Sequence, residues 1–214
     1  VVFTSGSTGA PKGIVIEHKA FCSGALAWGP FIQRSERSRV FQFASYTFDV
    51  SIGDVFTTLI FGGCVCIPSE HDRMNNLRET IESLKANELS LTPTVARLLR
   101  PQELPDVKVL VVAGEPLTKE VIDIWADHVN LINMYGPAEC TVYCTGKAGF
   151  RRADNPRCIG RGIGAGTWIV KPEDWKSLTP IGGIGEILIE GPLLARGYLG
   201  DDSQTHSAFV TDPP

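Results

Sequence analysis

The chain has 214 residues, 24 acidic and 20 basic side chains, a formal net charge of -4 and a 43% hydrophobic content. That is enough apolar material for one large domain or two small ones. The absence of a basic stripe excludes a nucleic-acid binder, and no apolar run is long enough to span a membrane. The opening Val1-Val2-Phe3-Thr4 does not read as a signal peptide. The six cysteines, Cys22, Cys64, Cys66, Cys140, Cys144 and Cys158, form no paired CxxC motif. They read as free thiols, so the expected compartment is cytoplasmic.

In chain order, apolar residues 1–3 and 14–16 flank Thr4-Ser5-Gly6-Ser7-Thr8-Gly9-Ala10-Pro11-Lys12-Gly13. This reads as strand, mobile loop, strand. Glycines let backbone N–H groups turn toward an anion, hydroxyls add donors and the lysine adds charge, which points to a polyphosphate ligand. The loop is not a Walker A motif, because Lys12 lies between Pro11 and Gly13 and β-branched residues follow. A helix is expected over 18–28, stopped by Gly29-Pro30, and a strand over 40–44. Phe48, Ile52, Val55, Phe56 and Leu59 form a helical stripe ended by Gly62-Gly63. Strands then follow at 64–67, 89–91, 107–112 and 129–132, with helices around Leu77, Ile81 and Leu84, over 94–100 and over 119–128. This alternation predicts an α/β fold, parallel-rich sheet layers with covering helices, over residues 1–142. From residue 143 to 214 the texture changes to a mostly-β subdomain, with strands at 167–170 and 186–190. Ligands of such sheets bind at strand carboxyl ends, where the Gly-rich loop and the turns after Val112 and Ile132 are expected.

Three constellations stand near those ends. Asn133, Tyr135, Gly136 and Glu139 follow the strand ending at Ile132. A tyrosine face there can stack on a purine and a carboxylate can hold Mg2+ beside phosphates, or the segment is a tight turn with a packed tyrosine. Gly114-Glu115-Pro116 follows the strand ending at Val112, where a glycine allows a flat ligand to approach the backbone. Asp49 lies among Phe48, Val50 and Ile52. If buried it needs a partner, and otherwise it is a first-turn acid favoured by the helix dipole.

Taken together, these motifs resemble the adenylate-forming enzymes: acyl-CoA synthetases, luciferases and the adenylation domains of nonribosomal peptide synthetases. The loop from Thr4 to Gly13 is similar to their phosphate-binding loop, and Asn133-Met134-Tyr135-Gly136-Pro137-Ala138-Glu139 to their Asn-x-Tyr-Gly-Pro-Thr-Glu motif, with Ala138 in place of threonine. Gly185-Glu186-Ile187-Leu188-Ile189-Glu190-Gly191-Pro192, Ala195-Arg196-Gly197-Tyr198 and Ile159-Gly160-Arg161 resemble further family motifs, Gly162 replacing a proline in the last. The resemblance implies ATP contacts at Thr4, Ser5, Gly6, Ser7, Thr8, Gly9, Lys12, Gly114, Glu115, Pro116, Asn133, Tyr135 and Gly136, with Mg2+ at Glu139. By the same resemblance Asp49 matches the aspartate that peptide-synthetase domains pair with an α-ammonium, and it separates them from the acyl-CoA synthetases. Similarity places Asp49, Val50, Gly53, Ser90, Val111, Ala113, Met134, Val142 and Tyr143 around the substrate side chain, implying a medium-to-large, mainly uncharged amino acid.

The implied activity is formation of aminoacyl-AMP and pyrophosphate, followed by transfer to the phosphopantetheine thiol of a carrier domain. Carrier and condensation domains of one synthetase are the implied partners. The rivals are an acyl- or aryl-CoA ligase and a nonenzymatic nucleotide-binding module. The resemblance also implies that a preceding segment, a ribose-binding aspartate and a catalytic lysine lie outside these residues, so that the chain alone is expected to be inactive.

Overall fold

The computed structural model of the chain describes residues 1–5 and 11–211. Gly6, Ser7, Thr8 and Gly9 lie outside the described residues, as does the side chain of Ser5. Strand β1 (Val2–Ser5) pairs antiparallel with β2 (Pro11–Val15), setting Thr4 opposite Lys12. Helix α1 (His18–Phe31) leads into β3 (Arg39–Phe41). Helix α2 (Asp49–Ile52), a π-helical turn (Gly53–Thr57) and α3 (Thr58–Ile60) then run on as one helical stretch to β4 (Cys64–Cys66). There follow α4 (Glu70–Asn75), α5 (Leu77–Ser83), β5 (Glu88–Leu91), α6 (Pro93–Ala96), β6 (Val109–Val112), α7 (Lys119–Trp125) and β7 (Asn130–Tyr135). The last third holds β8 (Thr145–Lys147), β9 (Arg161–Gly162), β10 (Gly166–Lys171), β11 (Asp174–Leu178), β12 (Glu186–Glu190), β13 (Gly197–Tyr198) and α8 (Asp202–Ala208).

The main sheet has seven strands in the order β4-β3-β5-β6-β7-β8-β9. Neighbours from β4 to β7 pair in parallel, and β8 and β9 are antiparallel additions at one edge. The central strand β6 is buried on both faces, as its unbroken apolar run requires, and β5 and most of β7 beside it are buried too. Leu110 and Val112 turn to the face where Leu89 and Leu131 meet Ile81, Ile122 and Trp125 of α5 and α7. Val109 and Val111, one residue out of phase, pack with Ile132, Met134 and Trp28 of α1 on the other. Each fully buried side chain of this size contributes on the order of 2 kcal/mol.

Four expectations need correction. Helix α1 passes through Gly29-Pro30 to Phe31. Pro30 comes late enough that its missing hydrogen bond falls at the exposed Leu26. Gly29 serves close packing, since a Cβ there would lie 2.2 Å from the Phe61 ring. Second, the stripe of Phe48, Phe56 and Leu59 faces outward, at 63%, 53% and 57% exposure. The inner face of that stretch is polar instead: Ser51, Asp54, Thr57 and Thr58 are buried, and Trp28 Nε1 donates to Thr57 Oγ1 at 3.1 Å. Third, Thr4 and Lys12 belong to an antiparallel hairpin in a small separate sheet, ordered β1-β2-β13, and not to the carboxyl end of a parallel strand. Fourth, the sheets do not divide at residue 142/143. Strands β8 and β9 continue the large sheet, and the separate antiparallel sheet β11-β10-β12 occupies Gly166–Lys171, Asp174–Leu178 and Glu186–Glu190.

Candidate active site

A cleft of about 930 Å³ opens at the carboxyl ends of β5, β6 and β7. Each strand turns a residue of its last two toward it, and the turn beyond continues its wall. Ser90, Leu91 and Thr92 come from β5 and its exit, Val111, Ala113, Gly114, Glu115 and Pro116 from β6, and Asn133, Met134, Tyr135 and Gly136 from β7. Asp49 and Val50, opening α2, close one side, and Val142 and Tyr143 complete it. The topology explains the convergence, because parallel neighbours end at one sheet edge and their loops must meet there.

The wall at 141–143 is held in an unusual backbone. Thr141 and Val142 have φ of 53° and 77°, a left-handed region costly for β-branched residues. Tertiary contacts hold them there. Thr141 Oγ1 donates to Leu193 O at 2.6 Å, and Gly136 lies against this segment so closely that a Cβ would stand 2.4 Å from Val142 O. Gly114 has φ of 81°, which also favours glycine.

Asp49 sits in the first turn of α2, largely buried. Burial pushes its pKa up to about 6, against the pull of the backbone amides of Val50 and Val142, and the Glu139 carboxylate adds to the rise. Among the described residues no cation pairs with it. A carboxylate so placed favours a cationic ligand group.

Glu139 stands beyond the cleft wall. Lys12 Nζ donates to Glu139 Oε1 at 2.8 Å and to Tyr198 Oη at 3.0 Å, and Tyr198 Oη donates to the same glutamate oxygen at 2.6 Å. Lys12 also lies over the Tyr198 ring, 4.4 Å from its centroid. Burial alone pushes Glu139 up, but the bonds from Lys12 and Tyr198 outweigh it and hold the carboxyl below its usual range. Thus three elements far apart in the chain, β2, the turn after β7 and β13, assemble one cation-holding carboxylate. The sequence assigns Tyr198 no role beyond its place in the Ala-Arg-Gly-Tyr motif.

Behind the cleft lies a second polar cluster that no motif announced. Arg34 donates to Glu88 through Nη1 and to Asp54 Oδ1 through Nη2 at 3.4 Å, and Ser90 Oγ donates to Asp54 Oδ1 at 2.7 Å. Asp54 is 2% exposed, and burial, opposed by Arg34 and Ser90, raises its pKa to about 6. The Asp54 Oδ2 and Tyr143 Oη atoms are buried with no hydrogen-bond partner among the described residues. The sequence signal for this cluster is one acid, Asp54, inside an apolar helical stretch.

The other expected residues divide. Val50, Ser90, Val111, Ala113, Met134, Val142 and Tyr143 line the cleft with Asp49. Gly53 does not: it is buried behind Val142, whose Cγ1 would stand 3.0 Å from an added Cβ. Gly114, Pro116, Gly136 and Tyr135 line it, Tyr135 with 41% of its surface exposed. Glu115 also lines it, but its carboxylate is engaged by the Thr94 backbone N–H and hydroxyl at 3.1 and 2.6 Å. Asn133 is buried and donates to Cys158 O at 3.1 Å, which leaves its amide oxygen as an acceptor. Thr4 Oγ1, in β1, is buried without a partner among the described residues.

Residues 1–199 match the family model described as AMP-binding enzyme. Nonribosomal peptide synthetase atnA of Emericella nidulans is 51% identical over 213 residues, covering 100% of this chain and 3% of that protein. Across other curated relatives the chain spans 2% to 16% of their length. The solved structure of the Vibrio cholerae adenylation domain AlmE in complex with glycyl-adenosine-5'-phosphate matches with TM-score 0.81 and 27% identity, covering 99% of this chain and 42% of that one. Holo-PA1221, an NRPS protein containing adenylation and PCP domains bound to a vinylsulfonamide inhibitor, matches with TM-score 0.84 and 25% identity over 98% of this chain and 38% of that one.

Proposed function

Because the chain belongs to the AMP-binding enzyme family, we propose that it is the part of an adenylation domain that binds an amino acid and ATP and brings them together. The observation that carries the amino-acid reading is Asp49, a largely buried carboxylate at the cleft wall with no cationic partner among the described residues. An α-ammonium supplies that partner, and its charge offsets the desolvation that raises the aspartate pKa. Val50, Val111, Met134 and Val142 then present apolar walls to the side chain, which suits a medium-to-large, mainly uncharged amino acid.

The nucleotide would lie across the turns at the strand ends. The half-exposed Tyr135 ring offers a stacking face for adenine, and Gly114 lets the backbone approach it. Lys12 would meet the phosphates. In the reaction the amino-acid carboxylate attacks the α-phosphorus, a new P–O bond forms, and pyrophosphate leaves with the electrons of the broken bond. Asp49 orients the attacking group by holding its neighbour, the ammonium.

Glu139 fits a role toward Mg2+. Its single carboxylate already holds a cation, the Lys12 ammonium, at 2.8 Å, and Mg2+ is commonly bound through one or two carboxylates together with substrate phosphates. The ion would neutralise phosphate charge. The proposal extends to aminoacyl transfer onto the phosphopantetheine of a carrier domain, with carrier and condensation domains as partners and a cytoplasmic location. No helix among the described residues is long and apolar enough to cross a membrane.

The test is amino-acid-dependent ATP–pyrophosphate exchange by the full-length protein over a panel of substrates. Exchange driven by amino acids supports the reading. Exchange driven only by carboxylic acids without an amine, with thioester formation on free CoA, refutes it in favour of a CoA ligase.

A further inference from the structure

The cluster beneath the cleft assigns a polarity to its floor. Ser90 lines the cleft and gives its one hydroxyl proton to Asp54 Oδ1, 2.7 Å away. A serine hydroxyl has one proton and two lone pairs. With the proton committed inward, only lone pairs remain for a ligand. Asp54 is 2% exposed and does not itself line the cleft, so it acts through Ser90.

Charge points the same way. Arg34, Asp54 and Glu88 are all buried, at 5%, 2% and 5% exposure, and one guanidinium faces two carboxylates. The cluster is therefore net negative when both acids are ionised. Arg34 and Ser90 both donate to Asp54 Oδ1, which favours its ionised form. A negative floor repels an anionic side chain and attracts the positive end of an O–H or N–H bond.

We infer that Asp54 is a positioning residue for substrate selection: by taking the Ser90 proton it makes the floor of the cleft a hydrogen-bond acceptor. The amino acid admitted accordingly has a side chain ending in a hydrogen-bond donor, such as a hydroxyl or a carboxamide. This rests on the amino-acid reading above and narrows it. In this reading the polar tip donates to Ser90. Tyr143 lines the same cleft with a buried hydroxyl lacking a partner among the described residues; it can accept from such a tip and keeps its own proton for a second contact, as a carboxamide would supply.

The test measures kcat/KM for exchange by the full-length protein with its best amino acid and with the analogue in which the terminal donor hydrogen is replaced by methyl. The expected preference for the donor is at least about tenfold, as for a buried group left unpaired. Ser90→Ala should bring the two substrates within about threefold of each other. Asp54→Leu keeps the approximate size and leaves Arg34 paired with Glu88, so no charge is stranded. It frees the Ser90 proton to turn toward the cleft, and the methylated analogue should regain activity relative to the parent. Asp54→Asn still offers an oxygen to Ser90 and should keep the preference, which a purely structural role for the carboxylate would not produce. The inference is overturned if the best substrate has an aliphatic or otherwise donor-free side chain, or if wild type treats the pair alike. It is also overturned if Asp54→Leu, or Ser90→Ala where that variant does not fold, leaves the ratio unchanged. Exchange with donor-free amino acids alone refutes only this inference, whereas exchange with no amino acid at all refutes the underlying function as well.

Discussion

At the scale of single residues, two carboxylates stand in opposite environments. Asp49 is largely buried without a cation among the described residues, and its pKa rises from 3.8 to about 6. The unliganded fold therefore binds this proton more tightly than the unfolded chain does. The stability associated with the group is fully present below about pH 4 and is lost as pH rises through 6. At 1.36 kcal/mol per unit the loss is on the order of 2–3 kcal/mol. Asp49→Asn should therefore raise the melting temperature of the unliganded protein at pH 8 and flatten its pH dependence between 4 and 6, while activation of the amino acid collapses. Thermal melts across that range check it, and a lower melting temperature for the variant at pH 8 contradicts it. Glu139 is instead held below its usual range by Lys12 and Tyr198. Glu139→Gln keeps the size and removes the charge. Exchange should fall at least about tenfold, roughly 1.4 kcal/mol of transition-state stabilisation. Unchanged kinetics at limiting Mg2+ would make the glutamate a turn residue only.

At the scale of elements, the site depends on a tight contact between two turns. Gly136 follows β7, and its missing Cβ admits the backbone of Val142 and Tyr143. Gly136→Ala should push that wall away from Asp49. The expected result is a loss of about 1–3 kcal/mol in stability and a larger fractional loss of kcat/KM, read by denaturant melts and exchange assays on the same sample. Full activity would show that the strained wall is dispensable. These contacts also explain what the sequence could and could not disclose. The parallel strands were legible because runs such as Val109–Val112 are apolar throughout, and the helix around Leu77 and Ile81 because its spacing matches a buried face. Helix α1 outran its expected stop because Gly29 and Pro30 answer to packing on Phe61 and to a late position. Helix α4 carries no apolar period to read, because none of its residues is buried. The stripe from Phe48 to Leu59 has the right period and the opposite facing, since periodicity marks an amphipathic face without saying what covers it.

At the scale of the whole molecule, the main sheet and the small β1-β2-β13 sheet bring together residues from nearly the full length of the chain. Lys12, Glu139 and Tyr198 meet through β2, the turn after β7, and β13, a convergence that no local pattern encodes. The cleft was more legible than this triad, since its residues sit at strand ends that the alternation of elements already marked. Gly53, which similarity places in the cleft, stands behind Val142, and the Arg34, Asp54 and Glu88 cluster leaves no sequence pattern because burial of a charge cannot be read from spacing. The phosphate-binding role proposed for Gly6, Ser7, Thr8 and Gly9 is carried by the motif and by Lys12 beside Glu139.

The central claim is that Asp49 receives an α-ammonium in this cleft. The most direct measurement is ATP–pyrophosphate exchange by the full-length protein with its best amino acid and with the des-amino acid of the same skeleton, in wild type and Asp49→Ala. Loss of one partner of a buried charge pair costs about 2–5 kcal/mol. The account predicts that wild type prefers the amino acid at least about thirtyfold, and that Asp49→Ala abolishes most of this preference while sparing ATP binding. Equal exchange with both acids in wild type, or an undiminished preference in Asp49→Ala, would contradict it.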